Sequence, residues 1–139
     1  MKFDFEARIN DVLDEQGRTW DEVDWKKGKY KTVHHVRSIA RYGRPQWNTV
    51  QRVAKCLDVP PAALVCPGQA GLRGFYKIDM AKVIRGQAKQ QGLALAEVAR
   101  RLEMNRFTFH GLLRANNPKV SMLPKLAKAL GTSLEALVS

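Results

Sequence analysis

The sequence predicts an all-α protein that contains one helical unit twice, and three observations lead to this prediction. Apolar residues recur every three or four positions along most of the chain, whereas no stretch alternates as a strand does. Residues 45–65 align without gaps to residues 118–138. The positions that are identical to their partners in this second segment are Pro45, Ala54, Lys55, Leu57, Ala63, Leu64 and Val65.

The repeat continues upstream at a different offset, and this defines the domain organisation. Ile9, Gly17 and Val23 match Ile84, Gly92 and Val98, so the first copy holds two extra residues between Val23 and Pro45. Residues 66–76 contain three glycines and one proline, a composition typical of a linker. We therefore predict a first domain over residues 1–66, a linker over 67–76 and a second domain over 77–139.

Two short helices at the centre of the second copy carry its most informative pattern. The first has an apolar stripe at helical spacing, formed by Leu95, Val98, Ala99 and Leu102. After a break, the second has inward positions at Phe109, Leu112 and Leu113. Asn105 can cap this second helix, and the small Ala99 lets the two backbones cross closely. The pattern predicts a helix-turn-helix whose cationic outer face enters a major groove.

The helices predicted around this pair complete a recognisable unit. The run GLALAEVARRLEMNRFTF, followed after His110 and Gly111 by LLRANNPKVSMLPKLAKALGTSLEALV, resembles the Cro/C1-type repressor family, also called the xenobiotic-response-element family. The resemblance implies a lambda-repressor-like domain of five helices whose third helix reads bases, and hence two tandem five-helix helix-turn-helix domains. Two residues depart from the family: Leu95 replaces the usual phosphate-binding polar residue, and Ala115 replaces the usual glycine after the third helix.

The first copy departs further from this pattern around its second helix. Thr19 and Glu22 are spaced as a capping box that opens the helix. Asp24 stands at the position of Ala99, where a buried carboxylate would be costly. Either Asp24 is exposed, or the helix crossing is looser in the first copy. Downstream, Asn48 is expected to cap the fourth helix, and two prolines, Pro60 and Pro61, to precede the fifth.

The tryptophans and cysteines are interpreted mainly as core residues. Trp20 and Trp47 occupy apolar positions of the repeat. Trp25 has no clear position in the repeat, so either a buried or an exposed side chain is compatible with the sequence. Cys56 lies on a buried helical stripe, and Cys66 lies at the edge of the linker. We expect both to be reduced thiols in a cytoplasmic protein.

Charge points to a polyanionic partner. The chain has 24 basic and 13 acidic residues, a net charge of +11. Residues 25–74 hold 10 basic side chains against 1 acidic, and residues 75–139 hold 11 against 4. In the first copy the positive charge thus begins at the second helix, where the resembling family contacts DNA. Double-stranded DNA is the partner that this distribution favours.

No catalytic or metal-binding pattern is evident. His34 and His35 are adjacent and point in different directions, and His110 lies in the other copy. Two cysteines are too few for a structural zinc site, and no glycine-rich phosphate loop follows a strand. No apolar run is long enough to span a bilayer, and the charged N-terminus lacks the apolar centre of a signal peptide. We predict a non-enzymatic protein without cofactor, metal or membrane partner.

Candidate DNA contacts follow from the predicted third helices. In the second copy the base-reading candidates are Asn105, Arg106, Phe107, Thr108 and His110. The phosphate-binding candidates just after them are Arg114, Asn116, Asn117 and Lys119. In the first copy the candidates for base or phosphate contact are Lys29, Lys31, Thr32, His34, His35 and Arg37, with Arg41 and Arg44 on the DNA backbone.

Two functions from different classes remain open at this point. The first is a transcriptional regulator that binds two adjacent half-sites as a covalent pseudo-dimer, and the resemblance alone associates it with a phage or mobile element. The second is a helix-turn-helix fold turned to protein binding, as an inhibitor or antiactivator of another regulator. Phe107 on the outer face and the divergent first copy leave room for it. The partner is then a regulator protein, and pairing with a second copy of the chain is also open.

Overall fold

A computed structural model describes residues 3–139, and within them the protein is all-helical, without a strand. The nine α-helices of this part are α1 (Phe5–Gln16), α2 (Val33–Tyr42), α3 (Trp47–Leu57), α4 (Ala62–Val65), α5 (Met80–Gln90), α6 (Leu95–Arg101), α7 (Arg106–Ala115), α8 (Leu123–Ala129) and α9 (Leu134–Leu137). Short 3-10 helices lie at Trp20–Glu22, Trp25–Gly28 and Val120–Met122. The predicted all-α class is confirmed.

The helices pack within two successive groups. In the first half of the chain α1 packs on α2 and α4, and α3 packs on α4 and on the 3-10 helix Trp25–Gly28. In the second half α5 packs on α6, α7 and α9, and α8 packs on α9. The buried apolar side chains form one cluster that includes residues of both halves.

The α6–α7 pair has the predicted local features. Ala99 is only 2% exposed, as its small size at the crossing predicts. Between the helices Glu103 adopts a left-handed φ of 58°, which turns the chain sharply. The Asn105 side chain then accepts a hydrogen bond from the Thr108 N–H at 2.8 Å, so the predicted cap of α7 is confirmed.

The corresponding segment of the first half lacks the second α-helix that the sequence predicts. The Thr19 N–H does donate to the Glu22 carboxylate at 2.9 Å, but this contact opens a 3-10 helix of only three residues. The exposed side chain of Asp24 accepts a hydrogen bond from the Lys26 N–H at 3.2 Å and starts a second 3-10 helix. The prediction of a continuous helix is therefore wrong, because a local side-chain cap interrupts it after Val23.

Trp25 is buried and not exposed, since it fills the space beneath this interrupted segment. Its side chain is 5% exposed, and its ring lies against the Trp20 ring with centroids 5.6 Å apart. The indole N–H donates to the Trp20 carbonyl at 2.8 Å. Two tryptophans in contact thus provide the packing that an α-helix provides in the second half.

The helices α2 and α7 occupy equivalent places, and their caps locate the insertion. Both have ten residues, and each starts directly after its cap, Thr32 or Asn105. The Thr32 hydroxyl accepts from the His35 N–H at 3.1 Å, as the Asn105 side chain does for α7. Because the smaller offset already holds at Thr32 and the larger one still holds at Val23, the two extra residues lie between these positions. They belong to the 3-10 region.

The cap of α3 comes from the other half of the chain. Asn48 lies inside α3, which starts at Trp47, so the prediction that Asn48 caps this helix is wrong. The Asn48 N–H instead donates to the Asn117 side-chain oxygen at 2.8 Å. Further along the chain, α4 begins directly after Pro61, as predicted.

The two halves meet through reciprocal backbone hydrogen bonds. The Trp47 N–H donates to the Pro118 carbonyl at 2.8 Å, and the Val120 N–H donates to the Pro45 carbonyl at 3.0 Å. These bonds form an antiparallel bridge between Gln46 and Lys119. The segment 45–47 is the repeat equivalent of 118–120, position by position. Such reciprocity is the mark of a local two-fold axis.

Further contacts beside this axis anchor the connection between the halves. The Trp47 side chain is fully buried, and its indole N–H donates to the Ile78 carbonyl at 3.0 Å. The Ile78 N–H in turn donates to the buried side-chain oxygen of Gln51 at 2.7 Å. Upstream, the Gly74 N–H donates to the Asp58 carbonyl at 2.9 Å, so the predicted linker follows the surface of the first half.

Candidate nucleic-acid interface

The outer face of α7 presents five of the predicted contact residues to solvent. Phe109 and Leu113 are buried on the opposite face, which fixes the rotation of the helix. The exposed residues are Arg106, Phe107, Thr108, His110 and Arg114. The Phe107 side chain is 92% exposed, an unusual position for a large apolar group. Lys119, beyond the helix, is also exposed.

The three predicted asparagines have structural hydrogen bonds. Asn105 caps α7, and the Asn117 oxygen caps α3 of the other half. Asn116 follows α7 with a left-handed φ of 53°, and both of its amide atoms are used. Its oxygen accepts from the Ala81 N–H at 2.7 Å, and its nitrogen donates to the Asp79 carboxylate at 2.9 Å. The Asn116 amide therefore holds α7 to the start of α5.

The first half presents a different surface at the equivalent positions. His34, His35, Arg37 and Arg41 stand where the second half has Phe107, Thr108, His110 and Arg114. All four are exposed, as are Lys29, Lys31, Thr32 and Arg44. The first copy thus replaces an aromatic and a hydroxyl side chain by two imidazoles, and an imidazole by a guanidinium.

Several of these first-half side chains are held by neighbours. The Arg37 guanidinium lies 5.1 Å from the centre of the Trp20 ring, a cation–π geometry. The Arg41 guanidinium donates to the Glu6 carboxylate at 3.0 Å, a contact that raises the pKa of Arg41. The His35 ring stands edge-on to Tyr30, with centroids 5.9 Å apart. Two of the first-half cations, Arg37 and Arg41, are therefore held by contacts within their own half.

Three cations outside the set predicted from sequence lie beside α7. Lys82, Arg85 and Lys89 of α5 line a cleft of about 810 Å³ together with His110 and Arg114 of α7. Their spacing of three and four residues places them on one face of α5, and this spacing is visible in the sequence. The sum of charges over a long segment does not show that these three cations lie together. Their positions on one face of a helix do.

The described residues offer little other chemistry. Residues 3–139 contain no group of His, Cys, Asp and Glu side chains arranged to hold a metal ion. Cys56 and Cys66 are free and buried, and burial raises the pKa of Cys66 to about 11. The expected core position of Cys56 is thus confirmed, and Cys66 lies in the core as well. None of the helices in this part of the chain is both long and apolar enough to cross a bilayer.

Comparisons with known proteins provide no further assignment. No protein-family model matches the chain, and neither the curated proteins nor the solved structures yield a match.

Proposed function

We propose that this chain is a sequence-specific double-stranded DNA-binding transcriptional regulator that acts as a covalent pseudo-dimer. In this proposal each half is a helix-turn-helix unit, and α2 and α7 are the two helices that enter the major groove. The observation that carries the proposal is the relation between these helices. They are equivalent in the repeat, similarly capped and solvent-exposed, and they belong to halves joined by reciprocal hydrogen bonds at residues 45–47 and 118–120.

The local two-fold axis leads to a specific expectation for the DNA site. Residues 45 and 118 follow the ends of α2 and α7 by the same number of residues, although the chain leaves α2 through an extended Gly43 and α7 through a left-handed Asn116. In this proposal the axis extends from the bridge to the two helices. Helices related by a two-fold axis read half-sites of opposite orientation. Because the outer residues of α2 and α7 differ, the half-sites differ too. We expect an inverted pair of unlike half-sites and not a direct repeat.

Charge and side-chain chemistry support DNA as the ligand. The net charge of +11 favours a polyanion, and residues 25–74 contain a single acidic side chain. On α7, Arg106 has the bidentate geometry that recognises guanine, while the Thr108 methyl and the Phe107 ring suit a thymine methyl. Lys119 and Arg114 are free of protein ion pairs within residues 3–139 and can bind phosphates.

Selection of bound duplexes from a random pool tests this proposal. We expect enrichment of two unlike half-sites in inverted orientation, with centres about one helical turn apart, roughly 10 base pairs. Arg106→Ala should cost about 1–3 kcal/mol at one base position and relax the preference there. Lys119→Ala should weaken binding to all DNA sequences alike. A pool without enrichment would refute DNA reading, and enriched direct repeats would refute the two-fold arrangement.

A second function, binding to another regulator as an inhibitor or antiactivator, is favoured by two exposed aromatic side chains. Phe107 is 92% exposed on α7, and Tyr42 is 78% exposed at the end of α2. Aromatic anchors of this kind are common at the centres of protein interfaces. A gel shift with a nonspecific duplex separates the two functions. Salt-sensitive binding is expected of the DNA-binding protein, whereas an inhibitor does not need it.

Cellular context follows the main proposal. A reduced, cytoplasmic protein fits the two unpaired cysteines, and a role in a phage or other mobile element is taken from the family resemblance alone.

A further inference from the structure

The cleft between α5 and α7 concentrates positive charge outside the predicted reading face. Lys82, Arg85 and Lys89 lie along one wall, and His110 and Arg114 lie on the other. The α5 residues span seven positions, or about 10 Å of helix at 1.5 Å per residue. That length is enough to face more than one phosphate of a DNA strand, since the axial rise per phosphate is about 3.4 Å.

The cleft holds four side-chain cations, Lys82, Arg85, Lys89 and Arg114, against one carboxylate, that of Asp79. None of Lys82, Arg85, Lys89 and Arg114 forms an ion pair within residues 3–139. The Asp79 carboxylate is hydrogen-bonded to two neutral N–H groups at one end of the cleft and forms no ion pair with these cations. It accepts from the Lys82 N–H at 3.2 Å and from the Asn116 amide at 2.9 Å. The cleft is therefore a concave surface of unpaired cations.

We propose that this cleft binds backbone phosphates of the duplex that flank the half-site read by α7, an inference that rests on the proposed DNA-binding function. His110 and Arg114 belong both to the cleft and to the outer face of α7, so the two surfaces are continuous. A strand that follows α7 reaches the α5 cations without leaving the protein surface. Lysine and arginine side chains bind backbone phosphates well, and such contacts carry no base preference.

The lining of the cleft favours phosphate over an acidic protein segment. Protein interfaces are anchored by aromatic and other large apolar side chains at their centres. Within residues 3–139, no phenylalanine, tyrosine or tryptophan lines the cleft, and its two apolar side chains, Leu113 and Ala81, are buried. Apart from Gly86, every other residue that lines the cleft has a polar or charged side chain, which suits an open contact with a polyanion.

The proposed phosphate contact exists in only one of the two halves. The repeat equivalents of Lys82, Arg85 and Lys89 are Ala7, Asn10 and Asp14, so the first half has no such surface. The protein should therefore use more flanking duplex next to the α7 half-site than next to the α2 half-site. The half-site whose base preference is relaxed by Arg106→Ala identifies the α7 side.

The test measures the affinity of the full chain for its selected duplex by fluorescence anisotropy across a series of salt concentrations. The variant Lys82→Ala, Arg85→Ala, Lys89→Ala should keep the base preferences of the wild type. The slope of log K against log salt should fall in magnitude by about two to three, at about 0.9 per lost phosphate contact. Affinity near physiological salt should fall on the order of 100-fold. Shortening the duplex on the α7 side should weaken the wild type more than this variant.

Two control variants separate the cleft from general charge effects. Lys82→Arg, Arg85→Lys, Lys89→Arg retains the charges and should keep the wild-type slope. Lys55→Ala, Lys125→Ala, Lys128→Ala also removes three charges from exposed helix positions, but outside the cleft, and should change the slope less. Circular dichroism checks that each variant is folded. If the triple cleft variant does not fold, Arg85→Ala alone should lower the slope by about 0.9.

The outcomes are distinct. If the wild type reads DNA but the cleft variant and the outside-cleft control have equal slopes, the cleft proposal is overturned and the DNA-binding proposal stands. If the wild type selects no DNA, both proposals fail together. If the cleft variant keeps its DNA slope but loses binding to an oligo-glutamate peptide, the occupant is an acidic protein segment and the phosphate assignment is wrong.

Discussion

The two halves of the molecule share four α-helix positions, but the first helix of one half carries the opposite charge to the first helix of the other. On α5 the face toward α7 carries Lys82, Arg85 and Lys89, whereas the equivalent residues of α1 include Asp14 and carry no cation. The buried positions are retained, as Ile9 and Ile84 illustrate. The difference shows that the packing of the repeat constrains only its inward positions. Surface charge can then diverge to give each half its own role.

A second difference concerns how each half supports the helix proposed to read DNA. In the second half α6 crosses α7 through the small, buried Ala99. In the first half, 3-10 turns and aromatic packing replace α6. There the Arg52 guanidinium stacks 4.4 Å from the Tyr30 ring centre and donates to the Gly28 carbonyl at 2.8 Å. The equivalent helices α2 and α7 are thus supported by two different local structures.

The largest expected effect is on the contact between the halves. Trp47→Ala should destabilise the protein by about 3–5 kcal/mol, because it empties a fully buried site and removes the hydrogen bond to Ile78. The equivalent change Val120→Ala should cost only about 2 kcal/mol, since it removes two carbon atoms. Urea unfolding measures both. Equal losses would show that the two sides of the pseudo-symmetric contact contribute equally to stability, against this prediction.

The next effect compares the two crossing positions. Ala99→Leu should cost about 1–3 kcal/mol by overpacking the α6–α7 crossing. At the equivalent position Asp24→Ala should cost at most about 1 kcal/mol, because Asp24 is exposed and contributes only a cap to a short 3-10 helix. Thermal unfolding of both variants checks the order. A larger loss for Asp24→Ala would mean that the 3-10 region depends on its cap more than on Trp20 and Trp25.

A smaller effect, on the salt dependence of DNA binding, distinguishes Arg41 of α2, which is ion-paired, from Arg114 of α7, which forms no ion pair within residues 3–139. Arg114→Ala should reduce the salt slope of DNA binding by about 0.9, the value for one phosphate contact. Arg41→Ala should reduce it less, because the Arg41 guanidinium is already bonded to Glu6. Glu6→Gln is the matched variant, since it releases Arg41 and should raise DNA affinity. Unchanged affinity in Glu6→Gln would indicate that Arg41 does not face the duplex.

Much of the second half can be predicted from sequence because its signals are local. The cap at Asn105 and the burial of Ala99 depend on residues within a few positions of one another. The errors have two causes, a contact from a distant residue in one case and a local segment that is absent from the second copy in the other. The assignment of Asn48 as a cap is wrong because its N–H is itself capped by Asn117, 69 residues away in the chain. The position of Trp25 depends on a 3-10 segment that the second copy of the repeat does not contain.

The candidate site is predictable to the same extent. The helical spacing of Phe109 and Leu113 correctly indicates which residues of α7 are exposed. The structural use of Asn116 and the cleft beside α7 are not predictable in this way, since both depend on how α5 packs against α7. The reciprocal bonds at Trp47 and Val120 also lie beyond sequence reasoning, because a repeat does not specify how its copies are oriented.

The smallest expected effect concerns an equivalent pair of glutamates, Glu97 and Glu22, and appears in the pH dependence of stability. Glu97 bonds to Arg100 and Arg101 along α6, and the hydrogen bond from Arg100 is the main reason that its pKa falls from 4.5 to about 2. Glu22 instead caps a 3-10 turn through the Thr19 N–H.

A carboxylate with a depressed pKa stabilises the folded state above its unfolded pKa of 4.5, and this contribution is lost as pH falls through about 2. Glu97→Gln should therefore lower the melting temperature slightly at pH 7, and its difference from the wild type should shrink between pH 4.5 and 2. Melting curves at pH 7, 4.5 and 2 measure this, with Glu103→Gln as a control for loss of an exposed charge outside any ion pair of residues 3–139. A difference that stays constant over this range would show that the α6 ion pairs do not stabilise the fold.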